Sequence, residues 1–395
     1  MSDLRAHAAA RCDRVVADAL ALIEVESPSA DHAAVAASAR AVAALIEARL
    51  GRAPETIVVD GVTHLRLTGG GATRILLLAH HDTVWPLRTL DTIPARVDDG
   101  MLRGPGSVDM KTGLVLGIHA LDLLRSLEGD AALDGITLLV TGDEEVGSAT
   151  SRELIEREAR GARAALVLEA GGDRGELKVQ RKGTSMYRIS VHGRAAHAGL
   201  EPERGINAVV GLADVIGQVA ALNDSEPGLT VVPAVVAGGT ATNTVPAAAH
   251  VDVDVRAESA DSQRRLDERI RRVAPTLAGA TVTVTGGVNR LPLQEADAAA
   301  LFALAERVSH AHGLPAPVPI RVGGASDGNF TAGVGTPTLD GLGAWGGGAH
   351  GDDEHAVVAG LGDRLALLVG LLQALRAEAA GRGEQVAVRD AGGVA

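Results

Sequence analysis

The stretch Leu76-Leu77-Leu78-Ala79-His80-His81-Asp82-Thr83-Val84 constrains the chain more than any other. An aliphatic run ends abruptly in two imidazoles and a carboxylate. The run reads as a short buried strand from Arg74 to Ala79, with Gly70, Gly71 and Thr73 before it as turn signals. Side chains alternate along a strand, so His80 and Asp82 share one face and His81 takes the other. In α/β folds, sites are built at such strand ends. A metal-binding His commonly donates its second ring N–H to a carboxylate, which fixes its tautomer. His80 is therefore a candidate ligand and Asp82 the group that holds it. The plain alternative is a polar strand end with ordinary hydrogen bonds.

Apolar runs of the same kind recur at Ile136–Val140, ending in Thr141-Gly142-Asp143-Glu144-Glu145-Val146-Gly147, and at Ala164–Leu168, ending in Glu169. Helical spacing lies between and around them. It covers Leu4 to Ile23, a helix capped by Asp31 and closed by Gly51, Met110 to Leu127 after the loop Gly104-Pro105-Gly106-Ser107-Val108-Asp109, and Ser151 to Ala159. This alternation predicts an α/β fold, a mostly parallel mixed sheet sandwiched by helices.

From Gly183 the pattern changes. A strand at Met186–His192 is followed by a helix at Asn207–Ala221, strands at Leu229–Val236 and His250–Arg256, a helix at Asp261–Val273 and a strand at Thr281–Thr285. That order is the ferredoxin-like split βαβ arrangement. The expected organisation is a first domain over 1–182, an inserted α+β domain over 183–288, a return to the first domain over 289–380 and a tail over 381–395. The returning part carries a helix over Ala298–His312 capped by Asp297, a strand at Thr336–Leu339 and a long helix over His355–Leu375.

Two domains also suit the length, since single cores stop growing near ~250–300 residues and the chain has 395. Aromatic residues make up 1%, so the core must be aliphatic. Net charge is −13 and no Lys/Arg run occurs, which argues against nucleic acid as a partner. Cys12 is the only cysteine, so a disulfide framework and a cysteine-rich zinc site are both excluded. Met1–Arg14 carries charges and no apolar core of a signal peptide, and no uninterrupted apolar run reaches about 18 residues. A cytoplasmic protein without a membrane span is the expectation.

Any metal must then be held by imidazoles and carboxylates. His80, Asp109, Glu145, Glu169 and His350 all stand at or just past strand ends. Two imidazoles and three carboxylates suit a pair of divalent ions that activate a water. Singly, Asp109 reads equally as a helix cap, Glu144-Glu145 as an exposed acidic turn, and His350 as a loop histidine. Neighbours in extended chain point apart, so one of Glu144 and Glu145 can bind metal while the other serves as general base. A rival motif, Gly341-Leu342-Gly343-Ala344-Trp345-Gly346, matches a dinucleotide loop. More glycines and His350 follow it where a helix should open.

Taken in order, these stretches resemble the M20 metallopeptidases, and most closely the glutamate carboxypeptidase branch. The likeness covers about residues 10 to 375. It is carried by Ala79–Val84, Gly104–Lys111, Asp143–Ser148, Leu168-Glu169, His192–Gly199, Asn243 with Arg256, Gly323–Asp327 and Ala349-His350. The resemblance implies two Zn2+ per subunit, with Co2+ or Mn2+ as alternatives. It implies that Asp109 bridges them, with His80 and Glu169 on one and Glu145 and His350 on the other. Glu144 would be the general base and Asp82 the catalytic acid that orients His80. A cis peptide is implied at Asp109-Met110. The inserted domain would serve as a dimerisation or lid domain in a homodimer, with His197 reaching the partner's site to stabilise an oxyanion. Asn243 and Arg256, with Arg290 as a further candidate, would bind the substrate's carboxylate. The implied reaction is hydrolysis of an amide next to a free C-terminal carboxylate, with glutamate released. An N-acyl-amino-acid deacylase uses the same metals and is the alternative; a non-catalytic binding homologue is the third reading, against which the complete residue set argues.

Overall fold

The computed structural model describes residues 3–223 and 225–391. The chain divides into two compact units. The first comprises Met1–Gln180, Glu295–Arg321 and Ser326–Ala395, and the second Arg181–Gln294 with Val322–Ala325. The second unit is thus wider than the 183–288 read from the sequence.

A six-stranded sheet forms the centre of the first unit, in the order Glu55–Val59, Val62–Thr68, Ile136–Thr141, Ile75–His80, Ala164–Val167, Thr338–Leu339. The last four are mutually parallel, and the first two form an antiparallel hairpin on the edge. Every residue of Ile75–His80 and of Ile136–Thr141 is buried, as expected for parallel strands covered on both faces. The fold class is therefore a mixed α/β sheet with helices, as the run-and-turn pattern predicts.

Local signals explain the helices. His32–Leu50 begins where the Asp31 carboxylate accepts the N–H groups of Ala33 and Ala34, and it stops at Gly51 in the left-handed region. The region read as one helix over Leu4–Ile23 is two, Leu4–Ala9 and Cys12–Ile23. The break carries Arg11, whose guanidinium is drawn to Asp122 and Ser126 on the Thr112–Glu128 helix. The helix expected from Ala298 begins at Glu295, so Asp297 lies in its first turn, where a carboxylate suits the helix dipole, and not at the cap.

Two further corrections concern the C-terminal part. His355–Val357 is a strand, and the final helix runs Leu361–Ala391, well past Leu375 and into the expected tail. Residues 392–395 of that tail lie outside the described residues. Val358–Glu378, which takes in the turn before this helix, is long and apolar enough to cross a membrane by length and composition (mean hydropathy 1.5), although Asp363, Arg364 and Arg376 interrupt its apolar run. However, 72% of its window is buried against the protein, and it packs on the Thr112–Glu128 and Leu4–Ala9 helices. Its apolar length is that of a core helix.

The second unit is a four-stranded antiparallel sheet in the order Thr230–Gly238, Ala248–Ala257, Gly183–His192, Thr281–Arg290. Helices Ala208–Ala220 and Ala260–Ile270 share one core with it, built from Ile189, Val191, Leu212, Val215, Val251, Val253 and Leu266. In Val251-Asp252-Val253-Asp254-Val255 each valine is buried and each aspartate partly exposed. That fixes which face meets the helices.

Candidate active site

Parallel register brings the polar strand ends together. His80 pairs with Thr141, so the Ile75–His80 and Ile136–Thr141 strands end at one level, and Ala164–Val167 runs beside them toward Glu169. Asp109 arrives on a single irregular turn, Ser107–Lys111, with a cis peptide at Asp109-Met110. His350 arrives on a hairpin whose arms, Gly346–Gly347 and His355–Val357, pair antiparallel. The second arm also pairs with Met101–Arg103, which leads directly into the Asp109 loop. His350 has φ 64, a left-handed conformation rare outside glycine.

The separations within this group are informative. His80 Nε2 lies 3.3 Å from Asp109 Oδ1 and 3.6 Å from Glu169 Oε1. His350 Nε2 lies 3.4 Å from Asp109 Oδ2 and 3.3 Å from Glu145 Oε2. Asp109 thus offers one oxygen to each imidazole. Buried His80 Nε2 and Glu145 Oε1 have no hydrogen-bond partner. Two ligands of one tetrahedral zinc ion, each held at about 2.0–2.1 Å, lie about 3.3–3.4 Å apart. The donor set and its spacing therefore fit divalent ions. Two overlapping groups of ligand atoms, His80 with Glu144 and Glu169, and His80 with Asp109 and Glu145, each close to within 4.8 Å.

The electrostatics point the same way. Burial disfavours charge on His80, yet Asp109, Asp82 and Glu169 outweigh it and hold its pKa well above the ordinary value. Asp109 and Glu145 push His350 up to about 10. Burial works against the Asp109 carboxylate, but the two imidazoles hold its pKa far below the usual carboxylate range. Glu145 goes the other way, raised by burial and by Asp109. A cluster of buried carboxylates that draws protons onto its imidazoles is one that calls for cations.

Asp82 does more than hold His80. The His80 Nδ1 lies 3.0 Å from the Asp82 backbone oxygen and 3.4 Å from its carboxylate, so the carbonyl is the closer partner. The carboxylate accepts the Ser29 hydroxyl at 2.6 Å and the N–H groups of Glu144 and Glu145 at 3.2 Å each. It therefore sets the turn that presents both glutamates. His81 points away, bonded through Nε2 to the Thr63 carbonyl at 3.1 Å, and burial pushes its pKa down to about 4. It is a neutral core histidine. His355 bonds the Asp353 carbonyl and stays outside both groups of ligand atoms.

The four candidates of the second unit fall into two pairs. His197 pairs with Thr244 in a short ladder, and Ala198 N–H donates to the Asn243 carbonyl, so His197 and Asn243 are neighbours. The exposed His197 ring accepts the N–H groups of Gly199 and Leu200 at Nδ1, which leaves Nε2 as the donor of the neutral ring. Arg256 and Arg290 both stand opposite Thr184, on either side of it. Arg256 lays its fork on Asp254 at 2.8 and 2.9 Å. From Ala248, at the first pair's end of the strand, to Arg256 is eight residue steps, about 26 Å at ~3.3 Å each.

The profile of Peptidase family M20/M25/M40 matches residues 76–374, which span all six members of the cluster. The chain belongs to peptidase family M20. This M20 metallopeptidase is a hydrolase of the class that acts on peptides. It is 30% identical over 369 residues to carboxypeptidase G2 from Pseudomonas sp. (strain RS-16), covering 90% of this chain and 88% of that one. It is 31% identical over 329 residues to succinyl-diaminopimelate desuccinylase from Methylorubrum extorquens (strain PA1), covering 76% and 82%. Its fold is similar to that of aminopeptidase PepT from Bacillus cereus ATCC 10987, with TM-score 0.72, 23% identity, and coverage of 92% and 99%.

Three buried residues of the M20 site were not singled out as functional from the sequence. Glu354, 1% exposed, accepts N–H groups from Gly106, Val108 and Asp109 and from the Trp85 indole, at 2.7–3.2 Å. It clamps the loop that delivers Asp109. Asp327 accepts the Ser148 and Thr141 hydroxyls, and Asp143 accepts Thr150 and Ser151. Together they brace the Glu144-Glu145 turn from the far side. The glycine motif has its own explanation. A Cβ at Gly343 would sit 2.1 Å from the Leu168 carbonyl, and one at Gly346 would sit 1.9 Å from that of His355. These glycines allow close backbone approach beside Glu169 and in the His350 hairpin, and a strand, not a helix, follows.

Proposed function

We propose that the chain is a two-metal exopeptidase that cleaves an amide bond next to a free C-terminal carboxylate and releases glutamate. The observation that carries this reading is the set of four N···O separations of 3.3–3.6 Å around Asp109. His80 and Glu169 would hold one ion, Glu145 and His350 the other, and Asp109 both. Zn2+ is the metal of choice for this donor set, with Co2+ or Mn2+ as substitutes. Bound there, the ions would supply a Lewis acid for the scissile carbonyl and lower the pKa of the attacking water.

Glu144 then takes the proton from that water and passes it to the leaving nitrogen. It is suited to this because the Asp82 carboxylate fixes its backbone, and because Glu145, not Glu144, meets His350. Asp82 also holds the His80 tautomer through its carbonyl. His197 Nε2–H would donate to the carbonyl oxygen as charge develops. Arg256, with Arg290 beside it, and Asn243 would bind the substrate carboxylate. Arginine suits this because its planar fork matches a carboxylate.

With Arg256 about 26 Å along its strand from Ala248, at the end nearer the His197 and Asn243 ladder, one chain would not bring His197 and Arg256 to the same substrate. A homodimer in which His197 and Asn243 serve the partner's site satisfies this. The Thr230–Gly238 strand lies on the sheet edge with Val232, Val235 and Val236 about half exposed, the kind of edge that pairs with a second copy. The relative named a desuccinylase supports a second reading, in which an N-acyl amino acid is deacylated by the same groups. A panel of glutamate-terminal peptides and N-acyl amino acids separates the two.

Glu144→Gln tests the mechanism. kcat should fall about 10²–10⁴-fold, the worth of a general base, while mass spectrometry still finds both ions. A full rate with metal bound would end the proposal.

A further inference from the structure

We propose that the cavity between the start of the Leu361–Ala391 helix and the Gly171–Glu176 turn is a second binding pocket, for a small monocarboxylate with an apolar body. Its volume is about 550 Å³, and none of the six residues of the metal cluster lines it. That volume is within the ~300–1,000 Å³ typical of small-molecule sites.

Its walls explain the selectivity. Leu314, Pro315, Leu367 and the Trp345 indole form the apolar side. Gly360 exists to seat that indole, since a Cβ there would lie 2.0 Å from Trp345 Nε1. The polar side is Arg364 and Ser309. Arg364 is 6% exposed, and its guanidinium donates from Nη2 to the Gly175 carbonyl at 2.6 Å. Among the described residues no carboxylate forms an ion pair with it. Glu176 lines the same cavity but is engaged by the Arg174 N–H at 2.9 Å and the Arg174 guanidinium at 3.5 Å. Asp363, also on the rim, pairs with Arg5. Burial pushes Arg364 down to about 10, and the Glu176 charge, which pulls it up, offsets only part of that desolvation. The Ser309 hydroxyl lines this cavity, is buried and has no partner.

A buried guanidinium bonded to one carbonyl, beside an orphaned hydroxyl, leaves donors that nothing in the fold satisfies. A carboxylate answers both, taking the fork of Arg364 and the Ser309 hydroxyl. Its body should be largely apolar, because Leu314, Pro315, Leu367 and the ring of Trp345 form the wall on that side.

Calorimetry and tryptophan fluorescence on the zinc-loaded full chain test this, with phenylacetate as probe and neutral phenylacetamide as control. Phenylacetate should bind saturably with a change in tryptophan emission, and phenylacetamide at least about tenfold more weakly, as loss of a charged hydrogen bond implies. Arg364→Met should weaken phenylacetate about tenfold or more. Ala359→Phe, an exposed rim position that fills the cavity and spares Arg364, should do the same without changing peptide hydrolysis. Absence of saturation at tens of millimolar, or unchanged binding in Ala359→Phe, overturns the proposal, the latter by locating the probe elsewhere. Neither result touches the metal-site reading.

Discussion

In the first unit, six titratable side chains from five separate segments lie within a few ångströms of one another, and only His350 has a largely exposed side chain. In the second unit, four polar candidates lie in two pairs, one at a short two-stranded ladder and the other on the four-stranded sheet, and His197 and Asn243 are exposed. The first arrangement is complete within a single chain. On the proposed reading the second is a pair of half-sites. On that reading, chemistry that needs sub-ångström placement is built on buried parallel strands, whereas substrate recognition would be spread over a surface that a second molecule completes.

Mixing variants attacks this contrast most directly and has the largest effect. His197→Ala and Arg256→Ala should each lose activity about 10²-fold or more, the scale of a lost oxyanion donor or carboxylate clamp. Subunits of the two, mixed and allowed to exchange, should regain up to about a quarter of wild-type activity, because one site in each mixed dimer has both residues. Absence of recovery would mean that each chain uses its own pair.

The next test concerns the first unit. Glu354→Gln puts an amide N–H group against backbone donors of the Asp109 loop. Metal affinity, measured by chelator competition, should fall about 10–100-fold, as for outer-shell partners generally. Unchanged affinity would mean that the loop holds Asp109 without the clamp.

The smallest effect marks where the metal cluster ends and scaffold begins. On the helices beside the sheet, Asp18 accepts both the Arg49 fork and His119. Burial pushes its carboxyl up, but Arg49 and His119 outweigh this and hold the pKa below the ordinary value. A depressed carboxylate stabilises the fold above its unfolded pKa of about 3.9, and that contribution is lost as pH falls through the folded value. Asp18→Asn should therefore lower Tm slightly at neutral pH, with the difference closing below about pH 4 and catalysis unaffected at pH 7. A gap that widens in acid would contradict the sign.

Much of this was legible in the residues themselves. His80, Glu144, Glu145 and Glu169 follow apolar runs that can only be buried strands, and Asp31 with Gly51 bounds a helix to the residue. The strand at His355–Val357 was not, because His355-Ala356-Val357-Val358 reads on smoothly into the apolar helix. Only pairing with Met101–Arg103, some 250 residues earlier in the chain, makes it extended. Glu354 escaped notice for the same reason: its partners at Gly106, Val108 and Asp109 are 245–248 positions away. In the run Asp352-Asp353-Glu354 nothing local distinguishes the buried acid from the two exposed ones. The double duty of Asp82 was likewise hidden, since which of its oxygens meets His80 depends on the turn across from it.

The exposed histidine at the tip of its glycine hairpin has a last consequence. Five members of the cluster are anchored in the sheet or braced by buried acids, and the sixth sits on a hairpin loop at the solvent edge. On the proposed reading the two cations are then unequal tenants: the one leaning on His350 exchanges first under a weak chelator, and the one leaning on His80 stays behind, so the chain passes through a singly loaded form on its way to empty.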